Sequence, residues 1–215
     1  MYAMPSIFCD DEEVTFTDDI PSDPSQIFEL LMGAVSEQGR AVVKFLVDEN
    51  DALEQGAFPS EYQKIEAYTL THDELTMRLV IEAMNQLSEI EPQLDAYVKN
   101  ILSVAWSEVF KRMDELISRI KPFAELIDNL GPYVSTYSPP WSEDFSNLAQ
   151  KQSESLNSIL SAFEKGDPAL LSDELSVNYM PVFKSTRKLF RDTIIPFLKK
   201  KVDAELLQKK NPSDS

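Results

Sequence analysis

The chain has 215 residues, 43% of them hydrophobic, and its 37 acidic and 20 basic side chains give a formal net charge of −17. This length fits one large or two small domains, and the hydrophobic fraction excludes wholesale disorder. Nucleic acid and anionic lipid are both repelled by so acidic a surface, so we expect neither as a partner. A basic protein partner, or simple solubility, is a better explanation of this charge.

The first residues lack the basic start and the long apolar region of a signal peptide. No apolar run reaches the roughly 18 residues of a membrane span. Cys9 is the single cysteine, so an intrachain disulfide cannot form and a reducing compartment is compatible. These features predict a cytoplasmic protein, and they leave its oligomeric state open.

The first seventy residues contain short runs of β-type residues. The runs at residues 6–9 and 14–17 flank an acidic turn at residues 10–13, which predicts a hairpin. Asp23 and Pro24 then suit the N-cap and first position of a helix. Gly39 suits its end, because glycine readily adopts the left-handed conformation found there.

A near-continuous apolar run at residues 41–47 predicts a central strand or one that is buried on both faces. Residues 48–51 read as a turn, residues 50–62 as a loop, and residues 63–69 as the next strand. The resulting order of strand, strand, helix, strand, strand resembles the ubiquitin-like β-grasp, in which a mixed sheet wraps one helix.

From Leu75 onward the apolar residues recur at intervals of three and four, which indicates helices. Thr71 and Glu74 form a predicted capping box at the start of this region. Pro92 and Pro122 are expected to interrupt it, which predicts helices ending near residues 91, 121 and 130.

Ser142 is the predicted cap of the following helix, and Gly166 its end. Asp167 and Pro168 should begin the last helical region. Pro181 and Pro196 should kink that region, and residues 211–215 should fray.

The predicted fold class is therefore α+β. A small ββαββ, β-grasp-like domain at residues 6–70 is followed by an antiparallel helical bundle at residues 71–207 and a disordered tail at residues 208–215.

The stretch at residues 166–175, with Pro181 following, resembles a segment of uncharacterised bacterial helical proteins. In those proteins a Gly-Asp pair begins a helix that is rich in Leu and Asp and reaches a proline. Residues 40–48 also resemble the strand and Asp turn of the small N-terminal domain in such proteins. The family has no activity to carry over, so the resemblance implies architecture and a bacterial origin.

The acidic turns do not make convincing metal sites. Residues 48–51 would begin a calcium loop, but Leu53 takes the sixth position, which requires Gly, and Pro59 takes the twelfth, which requires Glu. The four acids at residues 10–13 point in different directions around a turn, so an acidic hairpin tip that protects a sheet edge explains them better than a cation cage. We expect no metal and no cofactor.

No catalytic set is apparent. His72 is the single histidine, and its position in a helix first turn favours capping or surface exposure over a Ser-His-Asp triad. The Ser185 to Lys188 spacing matches S-x-x-K, but the accompanying S-D-N and K-T-G motifs are missing. A carboxylate-based hydrolase or nuclease would need two acids on neighbouring helices to converge in a cleft. The candidates are Glu82, Glu89, Glu108, Asp114 and Glu115.

Two features could serve a partner. The aromatic segment containing Tyr133, Tyr137 and Trp141 is either core with a tied-down loop or a protein-binding surface. The basic stretch at residues 184–210 either packs near the acidic first domain or forms a patch for an acidic partner.

These observations predict a non-enzymatic protein that acts through protein–protein interactions, such as an adaptor or assembly factor. Sheet edges for strand addition and an acidic surface for basic partners support this prediction. The alternative is a small-ligand sensor that binds within or beside the helical bundle.

Overall fold

The computed structural model of the protein describes residues 5–16 and 19–210. The chain divides into two compact units, an N-terminal unit of residues 1–75 and a C-terminal unit of residues 76–215. The fold is α+β, as predicted, with one mixed sheet in the first unit and helices throughout the second.

The N-terminal unit has five strands and two helices. They are β1 Ser6–Cys9, β2 Glu12–Glu13, α1 Pro24–Glu37, β3 Arg40–Val47, β4 Asn50–Asp51, α2 Ala52–Gln55 and β5 Lys64–Thr71. The strand order is β2-β1-β5-β3-β4; β1 is parallel to β5 and the other neighbours are antiparallel. The predicted β-grasp-like arrangement is confirmed, with β4 and α2 added where a turn and loop were predicted.

Both hairpins of the sheet use tight two-residue turns. Asp10 and Asp11 have φ of 50° and 67°, and Asp48 and Glu49 have φ of 48° and 70°. Positive φ at both central positions marks a turn that matches the twist of the strands, and Asp tolerates this conformation better than most residues. The second strand predicted at residues 14–17 is therefore wrong. The shorter turn places β2 at residues 12–13, and Thr17 lies outside the described residues.

The first aspartate of each turn fixes one end of β5. The Asp10 carboxylate accepts hydrogen bonds from the Thr69 amide at 2.8 Å and the Thr69 hydroxyl at 2.6 Å. Arg40 Nη2 also donates to it at 2.9 Å. At the other end, Asp48 accepts from the Gln63 and Lys64 amides, at 3.0 and 2.8 Å. Both carboxylates thus satisfy backbone or side-chain donors of a strand far away in sequence.

Changing Asp10 to Asn should destabilise the N-terminal unit in a pH-dependent way. Burial raises the pKa of the Asp10 carboxyl, but hydrogen bonds from Thr69 and the charge of Arg40 outweigh it, so the pKa is lowered. A group with a depressed folded-state pKa stabilises above its unfolded value, near 4, and this contribution is lost as the pH falls further. We expect Asp10→Asn to lower the free energy of unfolding by about 1 kcal/mol at neutral pH.

Urea unfolding followed by circular dichroism measures this effect, and the difference between wild type and variant should shrink below about pH 4. Asp11→Asn is the control, because Asp11 is exposed in the same turn and should change the free energy of unfolding by less than about 0.5 kcal/mol. A difference that persists unchanged into acid would refute a role for the Asp10 charge.

The core of this unit lies between α1 and one face of the sheet. Ile27 on α1, Phe45 on β3 and Ile65 on β5 are fully buried. The predicted helix ends are confirmed. The Ser25 amide donates to Asp23 Oδ1 at 2.9 Å, Pro24 is the first helical residue, and Gly39 follows the helix with φ of 68°.

The C-terminal unit consists of helices, the first of which begins just before the unit boundary. They are α3 His72–Asn100, a 3₁₀ turn at Ile101–Ser103, α4 Trp106–Lys111, α5 Met113–Tyr137, α6 Ser142–Lys165, α7 Pro168–Asp173, α8 Met180–Leu189 and α9 Ile195–Lys210. The predicted capping box is confirmed, since the Thr71 amide donates to Glu74 Oε2 at 2.8 Å and the Glu74 amide to Thr71 Oγ1 at 3.1 Å. None of the helices in the described residues is long and apolar enough to cross a membrane.

The predicted breaks at Pro92 and Pro122 are wrong. Both prolines lie inside continuous helices, α3 and α5, and the chain is interrupted at residues 101–105 instead. An internal proline removes one hydrogen bond and clashes with the preceding turn. Buried side chains on both sides, such as Leu87 and Leu94 around Pro92, belong to the same core and hold the helix in register.

Pro181 and Pro196 have a different effect. A π-helical segment precedes each, at Glu174–Tyr179 and Phe190–Ile194. Widening the turn relieves the clash between a proline ring and the carbonyl four residues earlier, so the helical path continues from α7 to α9.

The ends of α6 agree in part with the prediction. Gly166 has φ of 66° and ends the helix, and the Leu170 amide donates to Asp167 Oδ1 at 3.0 Å at the start of α7. The predicted Ser142 cap is wrong, because Trp141 occupies the N-cap position and makes no side-chain capping bond.

The last helix, α9, continues to Lys210, and residues 211–215 lie outside the described residues.

Candidate protein-binding face of the sheet

The negative charge of the chain is concentrated in the N-terminal unit. Residues 1–75 contain 17 acidic and 3 basic side chains, a net charge of −14, whereas residues 76–215 contain 20 and 17, a net charge of −3. The N-terminal unit thus holds about a third of the residues and most of the excess charge.

Two of the three basic side chains of this unit are held by acids or polar groups of the same unit. Arg40 bonds to Asp10 and donates from Nε to Thr69 Oγ1 at 2.7 Å, with its side chain 14% exposed. Lys64 forms an ion pair with Glu66 at 2.9 Å, and this hydrogen bond raises the pKa of Lys64. The remaining acids leave a strong negative field around the unit.

Side chains alternate between the two faces of the sheet. The inner face, which packs on α1, carries Phe45, Val47, Ile65 and Ala67, all buried. The pairing register places the intervening residues together on the opposite face. Phe8 and Leu46 both lie beside Glu66, Lys44 lies beside Tyr68, and Ala41 lies beside Leu70.

We call Phe8, Leu46, Tyr68 and Leu70 the outer face. All four side chains are partly exposed, and none of them belongs to either hydrophobic core found in the described residues. Lys64 Nζ lies over the Phe8 ring, 5.5 Å from its centroid. The outer face therefore consists of aromatic and aliphatic side chains, with Lys44, Lys64 and Glu66 beside them on the same side of the sheet.

The predicted aromatic residues lie in the C-terminal unit, in a different setting. Trp141 and Tyr133 are 1% and 7% exposed, and their rings stack with centroids 6.2 Å apart and planes 7° apart. Tyr137 is 38% exposed, and Lys201 lies over its ring. Tyr133 and Trp141 thus have the surroundings of core residues. A partner-binding role for these three residues stays a prediction, and Tyr137 is the one that offers solvent-exposed area.

Two of the five acidic residues considered for catalysis, Glu108 and Glu115, form ion pairs with nearby basic side chains. Glu115 accepts from Arg112 and Arg119, and these hydrogen bonds lower the pKa of its carboxyl to about 2. Glu108 pairs with Lys111 at 2.7 Å. Neither pairing includes a second carboxyl group. His72 is the first residue of α3, and the described residues contain no group of three His, Cys, Asp or Glu that could hold a metal ion.

Part of the basic C-terminal stretch is neutralised by α3. Arg187 pairs with Glu91, and Lys184 pairs with Asp95 at 3.6 Å. These ion pairs join α8 to α3 within the C-terminal unit. The two expectations for this stretch, which place its partners in the acidic domain or in another molecule, stay predictions for its other basic residues.

The helices of the C-terminal unit also form an apolar groove between α5 and α6, which we call the α5–α6 groove. Its volume is about 200 Å³, and Lys121 is the one charged side chain among the residues that line it. Small-ligand sites usually contain a few well-placed polar groups that fix the orientation of the ligand. The lining of this groove supplies few such groups, which makes it a poor match for a metabolite.

Sequence reasoning missed the outer face. The run at residues 41–47 predicts a strand that is central or buried on both faces. β3 does lie between β5 and β4 in the sheet, but it is not buried on both faces, because Lys44 is exposed, Leu46 is partly exposed, and Val43 is 36% exposed at a bulge in the β3–β5 pairing. The sequence of β5 could have indicated this face, because Tyr68 and Leu70 are apolar at positions that alternate with the buried Ile65, Ala67 and Thr69. Only the pairing register of the strands shows that Tyr68 and Leu70 lie on the same face of the sheet as Phe8 and Leu46.

No family model matches the chain, and no curated protein or solved structure matches it significantly.

Proposed function

We propose that this protein is a non-enzymatic protein–protein interaction protein, and that the outer face of its sheet binds the partner. The observation that carries the proposal is a cluster of four apolar side chains, Phe8, Leu46, Tyr68 and Leu70, that belongs to neither core. Apolar clusters of this kind on a polar surface mark binding sites, and aromatic residues contribute strongly to binding energy.

The charge of the N-terminal unit indicates the chemistry of the partner. A unit with a net charge of −14 attracts a basic surface and repels an acidic one. The partner that fits is therefore a protein segment with apolar residues for the outer face and with lysines or arginines around them. A cytoplasmic setting agrees with this proposal and remains part of it.

Photo-crosslinking tests the proposal directly. A photoreactive amino acid replaces Tyr68 in one variant and Leu30 in a control variant. Leu30 is 53% exposed on α1, which packs on the inner face of the sheet. After crosslinking in cells, mass spectrometry identifies the attached peptide. We expect position 68 to capture one partner through a segment rich in apolar and basic residues, and position 30 not to capture it.

Titration with that purified partner gives the quantitative result. Tyr68→Ala should weaken binding at least about tenfold, because aromatic side chains at the centre of interfaces often dominate affinity. Leu30→Ala should leave affinity within about twofold. Added salt should weaken the complex if charge attraction contributes. Equal capture at both positions, or an acidic captured segment, would contradict the proposal.

A further inference from the structure

The α5–α6 groove has large aliphatic side chains at its rim. Ile117 on α5 is 49% exposed and Leu160 on α6 is 56% exposed, whereas Leu116, Ile159 and Phe163 at the floor are 8% exposed or less. Exposed aliphatic residues that are continuous with an apolar groove mark a surface that another molecule covers. The groove belongs to the unit that does not carry the outer face.

We propose that this groove is the interface between two copies of the chain. A two-fold interface requires that one patch contain both a projecting side chain and the recess that receives it, because the same patch is used twice. Leu160 lines the groove and is 56% exposed, and the buried Leu116, Ile159 and Phe163 form the recess between α5 and α6. Two copies can therefore insert Leu160 into each other's groove, and the helices of both pack as in a bundle.

Charge favours a second copy over a strongly charged partner at this site. Lys121 is the one charged residue in the lining, and Glu125 lies 3.4 Å from its ammonium group. The whole C-terminal unit has a net charge of −3, so two such units repel each other less than two N-terminal units would. A basic partner would instead be attracted to the N-terminal unit, with its net charge of −14.

Salt should affect the two proposed interactions in opposite directions. The contact between copies is apolar, and each whole chain carries a charge of −17 that opposes association. Screening by salt weakens this repulsion, so the dimer should become tighter as the salt concentration rises. Binding of a basic partner at the outer face should become weaker under the same conditions. The failure of one proposal is thus distinguishable from the failure of the other.

Sedimentation equilibrium of the purified full-length chain over a wide concentration range tests the proposal. The mass of one chain is 24.4 kDa, so we expect a transition to twice this mass as the concentration increases. Leu160→Glu and Ile117→Glu place a carboxylate at the rim and should each raise the dimer dissociation constant at least about tenfold. Both positions are about half exposed, so both variants should keep the circular dichroism spectrum of the wild type.

Asn147→Glu is the matched control. It adds the same charge at an exposed position of α6 whose helical phase is opposite to Leu160, and it should leave the dissociation constant within about twofold. A wild-type chain that stays monomeric throughout would overturn the proposal, as would a dimer that Leu160→Glu leaves intact. A monomer that retains an apolar small molecule in native mass spectrometry would also overturn it and would assign the groove to that molecule.

Discussion

Replacing Trp141 with alanine should lower the free energy of unfolding of the C-terminal unit by about 3–5 kcal/mol, the usual loss for a large aromatic side chain removed from a core. Trp141 is 1% exposed and contacts aromatic rings from three helices. The centroid of its ring lies 6.2 Å from the ring centroid of Tyr133, 6.0 Å from that of Phe145 and 6.3 Å from that of Phe197. Truncation would leave a cavity that these rigid rings cannot readily fill.

Thermal and urea unfolding followed by circular dichroism measure the loss. Tyr137→Ala is the control, since Tyr137 belongs to the same aromatic segment but is 38% exposed and should cost no more than about 1 kcal/mol. A stable Trp141→Ala variant that had lost a partner would contradict the core assignment and would support the partner-binding prediction for this segment.

Replacing Phe45 with alanine should have a similarly large effect on the N-terminal unit, about 3–5 kcal/mol. Phe45 is fully buried in the middle of β3, with ring centroids of Phe28 and Phe58 at 5.3 and 5.8 Å in edge-to-face geometry. The substitution should destabilise α1, the sheet and the loop before β5 together, because each of these elements supplies one of the three rings that pack against one another. Unfolding of this unit would also abolish the binding that we propose for the outer face.

Amide hydrogen exchange resolves this effect by region. In Phe45→Ala the amides of β3 and β5 should exchange much faster than in the wild type, because the unit opens more often. Val43→Ala on the same strand is the control, since Val43 is 36% exposed and its loss should cost less than about 1 kcal/mol. Unchanged protection in Phe45→Ala would show that the three rings do not form the centre of this core.

The two proposed binding sites lie on different units and have different roles. In these proposals the acidic unit recruits a basic protein through its outer face, and the nearly neutral unit pairs two copies through the α5–α6 groove. A dimer presents two outer faces, so a partner with two basic segments would bind more tightly than one segment alone.

The sequence by itself determined the local features of the protein. The capping box of Thr71 and Glu74, the cap at Asp23 and the glycine at Gly166 depend on residues within one helical turn, so their chemistry can be read directly from neighbouring positions. The order of β1, α1, β3 and β5 in the first seventy residues was also predictable from the apolar periodicity, whereas β2, β4 and α2 were not placed by it.

Tertiary structure alone decided the features that depend on distant residues. Asp10 and Asp48 bond to opposite ends of β5, more than a dozen positions away, and no short-range pattern reveals such partners. Pro92 and Pro122 remain inside helices because a shared core outweighs one lost hydrogen bond. The outer face and the burial of Trp141 depend on strand register and helix packing, which bring together residues that the sequence keeps apart.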